Sequence, residues 1–88
     1  MDIARRLFTL VLARRYELTD HAIESMDDDG FTLADVLACL GAGRLRRAWP
    51  REQKYEIEGP SVSRHRMRVV GRLLRPGLVR IITIYEAK

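Results

Sequence analysis

Three features of the sequence predict an α+β domain, two or three helices followed by a four-stranded antiparallel sheet. Apolar residues recur at helical spacing up to Gly43 and at a spacing of two after it. Asp2, Thr19 and Thr32, each suited to cap a helix, stand just before an apolar-periodic run. Pro50, Gly59-Pro60 and Pro76-Gly77 divide the second half into four alternating segments with short links. Helices and strands segregated in this way pack as a helical layer on one sheet face. At 88 residues the chain is expected to be one domain, residues 1–88, with a modest core.

Asp2 caps a first helix over residues 3–14, with Ile3, Leu7, Leu10 and Val11 at helical spacing. Ala4, Phe8, Leu12 and Ala13 widen that arc, which suits a deeply packed helix or one that docks on a second subunit, as a homodimer through helix 1 would. Thr19 caps a second helix over residues 20–29, and Gly30 ends it. Thr32 caps a third over residues 33–41, with Asp35 placed for a capping box and Phe31 and Val36 for a hydrophobic staple. Segments 44–49, 54–58, 64–73 and 78–86 read as strands. Pro76-Gly77 suits the turn before the last of them. Leu78 to Glu86 is almost wholly apolar, which predicts a central strand.

The net charge is +4, but it is unevenly spread. Residues 1–43 carry four Arg against eight acids, and residues 44–88 carry ten Arg and two Lys against four acids. A basic second half points to an anionic partner. One cysteine, Cys39, cannot form an internal disulfide, which fits a cytoplasmic setting and a small core residue. The apolar run Leu7 to Ala13 is too short to span a bilayer, so no membrane partner is expected. His21, His65 and Cys39 have no zinc spacing, and Asp27-Asp28-Asp29 lacks the calcium-loop pattern. Neither a metal nor another cofactor is expected.

Arg64 to Arg72 reads Arg-His-Arg-Met-Arg-Val-Val-Gly-Arg. On a strand, Arg64, Arg66, Arg68 and Arg72 share one face, and His65, Met67, Val69 and Leu73 the other. A row of guanidiniums on a rigid sheet binds phosphate or carboxylate, and it serves equally as a solvated sheet face. His21, at the second position of its helix, is placed either as a general base toward a ribose 2′-hydroxyl or as a partner to a nearby loop. Thr83 and Tyr85 share a strand face, and Tyr85 is also an ordinary half-buried strand aromatic. Helices two and three have helix-turn-helix proportions, but their faces are acidic where a DNA-reading helix needs Arg, Asn or Gln.

Tyr16-Glu-Leu-Thr-Asp-His-Ala-Ile-Glu and Asp29-Gly-Phe-Thr-Leu-Ala-Asp-Val-Leu resemble a small bacterial and archaeal domain family of unknown function. The likeness continues through Pro50, Tyr55 and Gly59 to Ile81-Ile-Thr-Ile-Tyr-Glu86. More distantly, the implied arrangement is similar to RelE-like and BrnT-like toxins, small ribonucleases paired with antitoxin proteins. That resemblance implies an RNA partner, an antitoxin-like protein partner and metal-independent cleavage. It also implies a catalytic pair of His21 and Tyr85, with Arg64, Arg66, Arg68, Arg72 and Thr83 holding phosphate. This chain departs from a common form of the family at Ser25 and Asp29, where many members carry arginines. A non-catalytic interaction module on the same fold is the alternative. If Thr83 and Tyr85 face the side of Arg66 and Arg68, the row is one wall of an anion pocket that His21 closes.

Overall fold

The computed structural model describes residues 2–75 and 77–87. In chain order they form α1 (Ile3–Leu12), β1 (Tyr16–Leu18), α2 (Asp20–Asp29), α3 (Leu33–Ala42), β2 (Arg44–Trp49), a 3-10 turn (Pro50–Glu52), β3 (Lys54–Pro60), β4 (Arg66–Arg75) and β5 (Leu78–Glu86). The sheet has five strands in the order β1-β5-β4-β3-β2. The α+β class stands, with two corrections. The sheet is mixed, because β1 runs parallel to β5, and a strand separates the first helix from the second. Tyr16-Glu-Leu is too short to show a period, and a parallel pairing leaves no hairpin turn to betray it. The Pro76-Gly77 turn falls partly outside the described residues.

Each helix starts as its cap predicts. The Asp2 carboxylate accepts from the Ala4 amide, and the Thr19 hydroxyl from that of Ala22. Thr32 and Asp35 form a reciprocal capping box. Gly30, at φ 72°, ends α2. The first helix stops at Leu12 rather than residue 14, because Arg14 turns the chain in the left-handed region at φ 63°. The Arg14 and Arg15 amides bond back to Val11 and Leu10, a Schellman stop built on an arginine where glycine is usual.

The core lies between the helices and one sheet face. Leu7, Val11, Val36 and Leu40 meet Ile57, Met67, Val69, Ile81 and Ile84 there, all of them buried. Cys39 is a buried core residue, its Sγ 3.8 Å from the Ile57 carbonyl oxygen. Burial pushes its thiol up to about 12. β5 is an interior strand between β1 and β4, and β4 takes the middle of the sheet. Both sheet edges are blunted. β1 is only three residues long, and β2 carries Arg44, Arg46 and Arg47 with a bulge between Leu45 and Arg47. Among the described residues, no helix is long and apolar enough to cross a membrane.

Candidate nucleic-acid interface

A four-residue turn sets the register on which the open sheet face depends. The Arg64 amide bonds to the Ser61 carbonyl at 3.0 Å and the Ser61 amide to the His65 carbonyl at 2.7 Å. The β3–β4 ladder then pairs Lys54 with Arg72, Glu56 with Val70, Glu58 with Arg68 and Pro60 with Arg66. On the other side of β4, Arg68 pairs with Tyr85, Val70 with Thr83 and Arg72 with Arg80. A bulge in β5 leaves Ile82 without a partner between Thr83 and Ile81. That extra residue turns Thr83 and Tyr85 to the open face while Ile81 and Ile84 stay in the core.

Thr83 and Tyr85 therefore do face the side of Arg66 and Arg68, but the space between these groups holds the chain's own carboxylates. Glu58 accepts from Arg66 Nη1 at 2.9 Å and Arg68 Nε at 2.8 Å, and Arg46 Nε lies 3.4 Å from it. Glu56, 5% exposed, takes Arg46 Nη1 at 3.2 Å and the Tyr85 hydroxyl at 2.7 Å. The Arg68 guanidinium stands 5.7 Å from the Tyr85 ring centre. Arg68, then Arg66, holds the Glu58 carboxyl below its ordinary value by charged hydrogen bonds. Farther along the face Arg72 Nη2 bonds to Glu52 at 3.1 Å and Arg80 Nε to Glu17 at 2.7 Å. Arg72 Nε is buried without a hydrogen-bond partner among the described residues. Trp49 has Lys54 Nζ 4.5 Å and Arg47 5.6 Å from its ring centre.

The predicted site residues are only partly brought together. Arg66, Arg68, Thr83 and Tyr85 form one patch on β4 and β5, and Arg72 lies on the same face beyond Val70. Arg64 leaves the row. It sits in the hairpin turn at φ 70°, because the strand starts at Arg66 rather than at residue 64. His21 is exposed on α2, one turn before Ser25, and its imidazole makes no hydrogen bond or ion pair among the described residues. Ser25 Oγ lies 3.4 Å from Thr83 Oγ1, which places Ser25 on the rim of the patch. Glu56, Glu58, Arg46 and Trp49 were not singled out by sequence reasoning as site residues. The two-residue spacing of Glu56 and Glu58, read across a hairpin centred near Ser63, carried the signal for the pair.

A helical layer on one face of a strongly charged open sheet defines a small α+β domain with a preorganised cationic surface. The chain belongs to the domain of unknown function DUF4258, whose family model matches residues 18–86. No curated protein and no solved structure matches the chain.

Proposed function

We propose that this domain binds RNA on the open face of its sheet. One observation carries the reading: that face gathers eight cations, Arg44, Arg46, Arg47, Lys54, Arg66, Arg68, Arg72 and Arg80, against Glu17, Glu52, Glu56 and Glu58. The internal carboxylates hold several of the guanidiniums in place. Each guanidinium has five N–H donors, so phosphate oxygens can be met without breaking those pairs. The rings of Trp49 and Tyr85 sit among the cations and offer stacking surfaces for unpaired bases. A fluorescent single-stranded RNA titrated over a salt series tests this. The expected log–log slope is about −2, the value for roughly three phosphates on a single strand. Absence of binding at low salt, or a slope near zero, overturns it.

Metal-independent cleavage, as in a toxin-related ribonuclease, is the finer form of the same reading and rests on the sequence resemblance. In it His21 takes the proton of the 2′-hydroxyl as that oxygen attacks phosphorus. Arg68, Arg66 and Tyr85 then face the developing charge as the P–O5′ bond breaks and the 5′-oxygen takes a proton from solvent, giving a 2′,3′-cyclic phosphate and a 5′-hydroxyl. RNA incubated in EDTA with wild type, His21→Ala and Tyr85→Phe decides it. Equal or absent cleavage in all three removes the nuclease step and leaves binding standing.

A second reading, a protein-interaction module, is favoured by Leu12 and Val62, 59% and 63% exposed on an apolar groove with Phe8 and Leu37. A homodimer through α1 would cover Leu12, and so would an antitoxin-like protein. Sedimentation equilibrium is expected to give a dimer mass that Leu12→Glu abolishes. A clean monomer at high concentration excludes the homodimer.

A further inference from the structure

Where β2 begins, β3 ends and β4 begins, Arg44, Arg64 and Arg66 line an open cleft of about 550 Å3 with Glu58, Gly59 and Pro60. Among the described residues Glu58 is the single carboxylate lining it, and that group is already shared by Arg66, Arg68 and Arg46. Arg44 and Arg64 form no ion pair among the described residues. The cleft therefore presents more guanidinium than its own carboxylate can match. Arg64 reaches this place from a left-handed backbone, φ 70°, at a turn position where glycine or asparagine is less strained. Strain of that kind gathers at ligand clamps. Arg66 and Glu58 belong both to the cleft and to the open face, so the cleft is the end of the track on which RNA is proposed to lie.

We propose that this cleft binds a terminal phosphate monoester, so that the domain recognises the phosphorylated end of an RNA strand. The inference rests on the RNA-binding reading and specifies the ligand at its end. An internal phosphodiester carries one negative charge, whereas a terminal monoester carries about 1.5 to 2 and three acceptor oxygens. Two guanidiniums without carboxylate partners among the described residues, with Arg66 beside them, suit the second of these.

The test uses one single-stranded RNA made with a 5′-phosphate, with a 3′-phosphate, or with hydroxyls at both ends. Affinity is measured for wild type and for the Arg44→Gln/Arg64→Gly double variant, with circular dichroism as the folding check. Wild type is expected to bind one phosphorylated form about tenfold more tightly than the hydroxyl-ended RNA, and the double variant to lose that preference. Equal affinity for all three RNAs, or a preference that survives in the double variant, overturns the proposal. Adenosine 5′-monophosphate, adenosine 3′-monophosphate and adenosine, followed by amide NMR shifts, separate the two readings. Shifts over residues 58–66 with a monophosphate but not with adenosine support the cleft even if no RNA binds, and in that case only the RNA reading falls. No shift with either monophosphate overturns the cleft whatever the RNA result.

Discussion

Gly59→Ala is expected to destabilise the domain by about 3 kcal/mol or more, a large share of the stability of a domain this small. A methyl group at position 59 would lie 2.5 Å from the Cys39 carbonyl oxygen and 2.8 Å from Gly43 Cα. Both obstacles are backbone, so no rotamer change relieves them. Gly43 faces the same obstruction in return, since a Cβ there runs into the carbonyls of Cys39 and Glu58. The last turn of α3 and the end of β3 thus cross at a point where only hydrogen fits on either chain. Neither glycine has a positive φ, so the requirement is one of space. Gly30→Ala is the contrasting case. Its φ is 72° with nothing within 4 Å of the added methyl, so only backbone strain is charged, at about 1 kcal/mol. Urea unfolding of both variants checks the difference. Near-equal losses would show that the α3–β3 crossing relaxes freely.

Gly59 also shows how much was legible in the sequence. Gly59-Pro60 reads in the sequence as a link between strands, yet both residues lie within β3 and pair with Met67 and Arg66, and the physical reason for the glycine, an approach to α3, lies 16 residues away in Gly43. Signals whose chemistry is local are legible in the sequence. The caps at Asp2, Thr19 and Thr32 and the stop at Gly30 set the helix starts and the end of α2. The stop of α1 at Leu12 leaves no mark in the sequence, because its left-handed residue is Arg14, which carries no glycine signature. The candidate face follows the same division. Alternation placed Arg66, Arg68 and Arg72 on one side of β4, but the side taken by Thr83 and Tyr85 depends on the bulge at Ile82, in a run of apolar residues that hides any change of phase. Charge totals concealed that Glu56 and Glu58 fall opposite Val70 and Arg68, between the arginines. The arginine row, which on the sequence suits either an anion or solvent, is thus largely paired with the chain's own carboxylates, and the less compensated cations lie at its end.

Asp35→Ala is expected to cost about 3 kcal/mol, because this one carboxylate ties two distant pieces of chain together. Its Oδ2 accepts from the Thr32 amide at 2.9 Å and the Thr32 hydroxyl at 3.2 Å, completing the capping box of α3. Its Oδ1 accepts from the Val62 amide at 2.9 Å, in the turn that sets the β3–β4 register. The residue is 9% exposed, so alanine leaves both amides short of a partner with little water to replace it. Asp35→Asn keeps one acceptor oxygen and should lose less. The pH dependence separates charge from geometry. Burial pushes the Asp35 carboxyl up, but the Thr32 and Val62 amides, the Thr32 hydroxyl and the charge of His65 together hold it below its ordinary value. A carboxyl lowered on folding stabilises the domain fully above its unfolded-state value and loses that contribution as pH falls through the folded-state value. Wild type should therefore exceed Asp35→Asn in stability at neutral pH and converge toward it on acidification. Glu58 also loses charge in that range, but it does so in both proteins and cancels in the difference. Denaturant midpoints of the pair across an acid series measure the convergence. A gap that stays constant with pH would mean that the link between α3 and the hairpin turn owes nothing to the negative charge.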